Sequence, residues 1–259
     1  MGETGRLRPA LYPFLRYASA VILLLVMLGL GGCSSDAKQA ITFADPDLEA
    51  AVRQAIGKPT GAIYKTELAG LTLLDASGRS IMDITGLEHA TSLTQLYLAD
   101  NQISGISALA GLTTLTELHL GWNQISDISA LANLASLTVL NLCSNQINNI
   151  SALASLTSLR ELYLDGNQIS DISFLTGLTS LRDLHLYSNQ ISDISALAAL
   201  ASLMTLDLGE NQISDISALV ANTGLGEGDY VDLMDNPLSD ISLYTYIPQL
   251  EAGGVTVLY

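Results

Sequence analysis

Residues 115–136 read LTELHLGWNQISDISALANLAS, and residues 137–158 read LTVLNLCSNQINNISALASLTS. Written one beneath the other, the two stretches agree at the leucines, at Asn123 and Asn145, and at the isoleucines that follow each asparagine. The agreement extends outward in both directions. Asparagines recur at Asn101, Asn123, Asn145, Asn167, Asn189 and Asn211, each 22 residues after the last. Worn copies flank the regular ones. In the first, Leu71, Leu74, Ile81, Ile84 and Leu87 keep register, while Arg79 replaces the asparagine and Ala90 a leucine. In the last, Val231, Leu233, Asn236, Leu238 and Ile241 return to register after three inserted residues. Self-similarity at a fixed period of this size means stacked units, none of which can bury its apolar face alone.

One unit can be folded from its own residues. Leu118-His119-Leu120 alternates apolar and polar, so it reads as a strand with Leu118 and Leu120 inward and Glu117 and His119 outward. Asn123 follows where the chain must turn. A buried turn leaves backbone groups needing partners, and an amide side chain offers both donors and an acceptor. Repeated every 22 residues, these amides predict a ladder beneath the turns. Ile125 and Ile128 return to the core. Ser129 to Leu134 fits one short helical or 3₁₀ turn, with Leu131 and Leu134 facing inward together. Strands from about seven units, stacked in parallel at about 4.8 Å, make a sheet roughly 34 Å wide.

The unit LxxLxxLxLxxNxIxDIxxLxxL, with Asp127, Asp171, Asp193 and Asp215 before its second isoleucine, resembles the bacterial internalin-type leucine-rich repeat. The resemblance implies an α/β fold, a right-handed leucine-rich-repeat solenoid with a curved parallel sheet on its concave face and short 3₁₀ turns on its convex face. It spans residues 41–259 and implies the following division: a helical N-terminal cap at 41–70, repeats at 71–236, and a C-terminal cap at 237–259. In the first cap Pro46 marks a helix start, Asp45 its cap, and Leu48, Val52, Ala55 and Ile56 one apolar stripe. In the last, a short helix near Tyr244 to Ala252 precedes a final strand, Val255 to Tyr259, covering the open edge.

The N-terminus reads as an address. Arg6, Arg8 and Arg16 lead an apolar run from Ala18 to Leu30, 13 residues long, which is about 20 Å as a helix and too short for a roughly 30 Å hydrocarbon core. Residues 1–32 fit a secretory signal peptide. Leu30-Gly31-Gly32-Cys33 resembles the lipobox of bacterial lipoproteins. That resemblance implies cleavage before Cys33, a covalent lipid on its thiol, a tether at 33–40, and export to the bacterial membrane as an outer-membrane or cell-surface protein. No other cofactor is expected. Removing Arg6, Arg8, Arg16 and Glu3 leaves 7 basic and 25 acidic residues, a net charge of −18, which excludes nucleic acid as a partner.

Function is sought where packing makes no demand, on the outward sheet positions. Read down the repeats, the middle column is Tyr97, His119, Asn141, Tyr163, His185, Asp207, Asp232, and the column before it Gln95, Glu117, Val139, Glu161, Asp183, Thr205, Tyr230. Two later columns hold Asp165 and Tyr187, and Trp122. Aromatic residues with polar tips are enriched in interface hot spots. The expected binding set is Tyr97, His119, Trp122, Glu161, Tyr163, Asp165, Asp183, His185, Tyr187 and Asp207, and the expected partner a protein with a basic surface. A glycan and a spacer without ligand are the alternatives. No metal site is expected, because His119 and His185 lie three repeats apart, about 14 Å. No catalytic constellation is legible, and the chain is read as no enzyme.

Overall fold

The computed structural model describes residues 39–259. The expected signal peptide, the expected lipidation site Cys33 and most of the expected tether lie outside the described residues. The chain starts with a cap. Strand β1 (Ala40–Ile41) pairs antiparallel with β2 (Ile63–Tyr64) around helix α1 (Pro46–Ile56), and a short helix α2 (Lys65–Leu68) follows. Ala40, expected to end the tether, is therefore already paired, with Tyr64. Asp45 caps α1 as expected: its Oδ1 accepts from the Asp47 and Leu48 amides at 2.9 and 3.2 Å. Its Oδ2 accepts from the Met82 amide at 2.8 Å, which fastens the cap to the first repeat. Burial works against this carboxylate, but the backbone donors prevail and hold its pKa below the usual range. The buried stripe of α1 is Leu48, Ala51 and Val52. Ala55, expected in that stripe, is exposed, because Ala51 already fills the i+3 place beside Leu48.

The repeats deliver one strand each to a single parallel sheet of nine strands. These are β3 (Leu73–Asp75), β4 (Gln95–Tyr97), β5 (Glu117–His119), β6 (Val139–Asn141), β7 (Glu161–Tyr163), β8 (Asp183–His185), β9 (Thr205–Asp207), β10 (Tyr230–Asp232) and β11 (Thr256–Leu258). Seven were expected. The worn first unit supplies a strand without its asparagine, and the terminal strand pairs parallel with β10 at the open edge. At about 4.8 Å spacing the sheet is about 38 Å across. On the far side lie 3₁₀ turns, such as Ser129–Leu131 and Ser151–Ser155. A helix α3 (Ser217–Ala221) replaces the turn in the last regular repeat, and a π-turn at Ser242–Tyr246 leads into helix α4 (Ile247–Ala252). Among the described residues no helix is long and apolar enough to cross a membrane.

Leucines and isoleucines at the repeat positions are buried in one continuous core as far as Leu233, but in the last worn unit Leu238 is half-buried and Ile241, expected in register with the core, is 53 % exposed, because beyond it no further repeat supplies cover. The asparagine ladder is present and joins units. Asn123 Nδ2 donates to the carbonyls of Leu120 and Gly121 in its own repeat and of Leu98 in the one before, while its Oδ1 accepts from the Ile103 amide at 2.9 Å. Each amide thus satisfies groups on both sides of a repeat boundary. The repeated aspartates have a local duty: Asp127 Oδ1 accepts from the Ser129 amide at 2.8 Å, and Asp171, Asp193 and Asp215 do the same for Ser173, Ser195 and Ser217. They open the far-side turns.

The irregular units are repaired by substitution. In the worn first unit Phe43 from the cap is buried against Gly86, where a Cβ would come 2.7 Å from its ring. Asn222 occupies a leucine position at the insertion. It is buried and donates to the Leu197 and Leu200 carbonyls at 2.8 and 3.1 Å.

Candidate functional site

The ladder register fixes which outward side chains are neighbours. Asp75, Tyr97, His119, Asn141, Tyr163, His185, Asp207, Asp232 and Leu258 form one column, and Leu73, Gln95, Glu117, Val139, Glu161, Asp183, Thr205, Tyr230 and Thr256 the next. Both columns agree with the sequence reading and gain a member at each end. Backbone bonds carry the register past the strand ends: Trp122 N donates to Cys143 O at 2.8 Å, and Ser144 N to Asp165 O at 2.7 Å.

The following position proves to be a turn. Asp100, Trp122, Ser144, Gly166, Ser188, Glu210 and Asp235 all have positive φ, between 49° and 65°. The chain leaves the sheet there in a left-handed conformation, so that the next residue, the asparagine, can point beneath it. Sequence reasoning took these residues for ordinary outward strand positions. The correction matters for Trp122, a bulky residue at φ 54° and 51 % exposed, because such a conformation is rare for large side chains. It sits at the sheet margin. Among the described residues no ring contact joins it to the tyrosines.

Two aromatic pairs stand on the face. Tyr97 stacks on His119 with centroids 5.0 Å apart, and Tyr163 on His185 at 4.8 Å. Glu117, which was not among the expected site residues, organises the first pair. Its Oε1 accepts from Tyr97 Oη at 2.8 Å and lies 2.9 Å from His119 Nε2, while its Oε2 accepts from Gln95 at 2.7 Å. Burial disfavours its charge, but these three partners hold its pKa below the usual range. Burial, then the Glu117 contact, pushes the Tyr97 hydroxyl well above its ordinary value. In the second pair Tyr163 Oη donates to Glu161 Oε2 at 3.1 Å, and Glu161 stands in register with Asp183. In the column that holds Asp165, Tyr187 donates to Glu210, which raises its pKa to about 12.

Beyond the second pair the face becomes acidic. Asp165, His185 and Asp207 come from three consecutive repeats, and their ligating atoms all lie within 4.8 Å of one another. Burial raises the pKa of Asp165. Asp207 is pushed up to about 6, by burial first and then by the charges of Asp165 and Asp232. Asp232, itself buried, accepts from Tyr230 Oη at 3.3 Å and from the Met234 amide at 2.9 Å. Cys143 is buried, and its Sγ lies 3.2 Å from Asp165 Oδ2. Burial, then the Asp165 charge, raises its pKa far above that of a reactive thiol. Among the described residues no lysine or arginine is ion-paired with an acid of this face. The four ion pairs are Arg53–Glu49, Lys58–Glu67, His89–Glu88 and His119–Glu117.

Of the expected binding residues, the structure brings Tyr97 to His119, and Glu161, Tyr163, Asp165, Asp183, His185 and Asp207 into one patch. Tyr187 joins that patch through its amide, which donates to Asp165 Oδ1 at 3.0 Å. The expectation of no metal site rests on the separation of His119 and His185 and on the lack of an EF-hand loop around the repeated aspartates, and does not weigh a histidine with aspartates of neighbouring repeats. Within the cluster His185 and Asp207 are direct register partners, 22 residues apart, while Asp165, 20 residues before His185, approaches from the neighbouring column, so reading down one column does not gather all three.

Comparison with known proteins agrees with the repeat geometry. The sequence matches the Leucine Rich repeats (2 copies) family over residues 91–133, 135–177 and 179–221. No curated protein sequence matches the chain. Among solved structures, an internalin from Listeria monocytogenes is 36 % identical with a TM-score of 0.75, over 80 % of this chain and 61 % of that one. The chain thus spans under two thirds of that protein. Internalin C2 from the same organism is 41 % identical with a TM-score of 0.73, over 83 % of this chain and 94 % of the other. A plant peptide hormone receptor in complex with RGF2 is 28 % identical with a TM-score of 0.52, over 59 % of this chain and 26 % of the receptor.

Proposed function

The chain belongs to the internalin-like leucine-rich-repeat proteins, and from that premise we propose that it is a recognition module which binds a protein partner on the outward face of its sheet, the concave side of the solenoid. The observation that carries this reading is the second patch. Tyr163, His185, Tyr187, Glu161, Asp183, Asp165 and Asp207 share adjoining register positions, and the acids there have no basic ion-pair partner among the described residues. The core gains nothing from side chains that face away from it. Uncompensated negative charge beside aromatic rings is suited to a partner with a basic surface, which it would draw in by long-range attraction and hold by packing on the rings. The plant receptor complex supports the general use of such repeats for a protein ligand. The role is binding and not catalysis.

The module acts at the cell surface. Cys33 carries the lipid, residues 1–32 are removed, and the repeats are held at the bacterial membrane by the acyl chains, each buried methylene contributing about 0.8 kcal/mol. Mass spectrometry of the membrane-extracted protein is expected to find an N-terminal, lipid-modified Cys33. An unmodified Cys33 would remove the anchor.

The binding reading is tested with Glu161→Lys, Asp183→Lys and Tyr163→Ala combined. Binding to a protein partner captured from the native envelope should fall at least tenfold, and wild-type binding should weaken as salt rises. Unchanged binding by the triple variant would sink the sheet-face assignment. Binding of a sugar in a glycan array, with no protein partner, would replace the protein ligand by a carbohydrate stacked on Trp122 and Tyr187.

A further inference from the structure

We propose that Asp165, His185 and Asp207 form a binding site for a first-row divalent metal ion, of which zinc is the natural probe. The first support is convergence. The three side chains come from three successive repeats, and one ligating atom of each lies within 4.8 Å of the other two. Around a four-coordinate zinc with bonds of about 2.0–2.2 Å, ligand atoms stand about 3.4 Å apart, so small side-chain rotations close the set onto an ion.

The second support is how these groups are otherwise used. His185 is stacked on Tyr163, which fixes the plane of its ring, and among the described residues it forms no hydrogen bond with either carboxylate. A histidine this close to two aspartates would ordinarily turn to donate to one of them. Here the ring faces them across a gap. The carboxylates are positioned by the backbone: Asp165 Oδ1 accepts from the Tyr187 amide at 3.0 Å and Asp207 Oδ1 from the Gly209 amide at 3.1 Å. Metal ligands held by such outer hydrogen bonds are pre-oriented. All three side chains are half-buried, unlike the exposed aspartates of the far-side turns.

The third support is charge. Asp165 and Asp207 are half-buried together, Asp207 also neighbours the buried Asp232, and no lysine or arginine is paired to any of them among the described residues. A divalent cation would balance the pair within the site. The ligand chemistry selects the ion. An imidazole nitrogen with two carboxylate oxygens suits zinc or a neighbouring transition metal, whereas calcium and magnesium take oxygen ligands. Three protein ligands leave the remaining coordination position open toward solvent, where a partner's side chain could enter. The site shares Asp165, His185 and Asp207 with the proposed binding face, but metal binding by the chain alone is measured without any partner, so the two readings fail independently.

The test is zinc binding by the full chain, measured by calorimetry after chelator treatment, with His185→Asn, Asp207→Asn and the control His119→Asn. Circular dichroism checks that each variant is folded. One zinc per chain is expected at this site, weakened at least tenfold in His185→Asn and in Asp207→Asn, unaltered in His119→Asn, and not displaced by millimolar calcium or magnesium. A cobalt derivative should show the visible bands of a nitrogen–oxygen site, lost in His185→Asn. Absence of zinc binding, or binding that survives both His185→Asn and Asp207→Asn, overturns the proposal.

Discussion

Replacing Asn167 by alanine probes the joint between repeats. In the native protein its Nδ2 donates to the carbonyls of Leu142, Leu164 and Asp165 at 3.0, 2.9 and 3.3 Å, and its Oδ1 accepts from the Ile147 amide at 3.0 Å. The losses are unequal. Leu142 O keeps a bond from Asn145, Leu164 O one from Asn189, and Asp165 O one from the Ser144 amide. The Ile147 amide, on a fully buried residue, is left without an acceptor among the described residues. An orphaned buried N–H costs about 1–3 kcal/mol, and the lost bonds to the carbonyls about another 1 kcal/mol net. The expected destabilisation is about 2–4 kcal/mol, read from the urea midpoint at constant slope. Asn167→Asp retains the acceptor but turns a carboxylate oxygen toward three carbonyls, so it should cost more than alanine at neutral pH and recover on acidification. Asn236→Ala, at the half-buried end of the ladder, should cost less because water can replace the amide. A change below about 0.5 kcal/mol for Asn167→Ala, the range of an ordinary surface substitution, would refute the ladder as the joint between units.

Three further outcomes follow from particular contacts. Asp207 holds its proton more tightly in the folded state, about pH 6 against 3.8, so in the presence of a chelator its own contribution to stability, read as the difference between wild type and Asp207→Asn, should be greatest below the unfolded pKa and decline as pH rises through that window, by at most about 3 kcal/mol. Asp207→Asn preserves the acceptor for the Gly209 amide and should flatten that decline and raise the melting temperature at neutral pH. Trp122→Gly removes a bulky left-handed residue and should leave stability equal or higher by about 0.5–1 kcal/mol, and lower stability would show that the tryptophan packs rather than strains. A Cβ on Gly224 would collide with the Ala201 carbonyl oxygen, so Gly224→Ala should cost about 2 kcal/mol or more, measured by thermal melting, because backbone must move.

Sequence reading reached furthest where one residue recurs once per period. The amide ladder and the outward columns follow from Asn123 and its equivalents, since a parallel register at fixed spacing leaves no freedom in who faces whom. It fell short where the same backbone state is met by different residue types. Nothing in Asp100, Trp122, Ser144 and Glu210 announces a shared left-handed turn, because the fold imposes it on whatever stands before the asparagine. The seating of Phe43 against Gly86 was equally hidden, being a contact between distant segments. Columns show neighbours straight across a sheet, as His185 and Asp207 are, whereas the approach of Asp165 to them is diagonal and depends on where side chains point. Glu117 gathers three partners for the same reason.

Site-specific photocrosslinking tests the central claim most directly. A photoreactive amino acid is placed at position 183 on the sheet face, and separately at position 195 on the far side, in cells producing the full chain. The account predicts a crosslinked protein partner from position 183, lost when Glu161→Lys and Tyr163→Ala are added, and none from position 195. Equal capture from both faces, or capture from 183 that survives those substitutions, would contradict recognition by the sheet face.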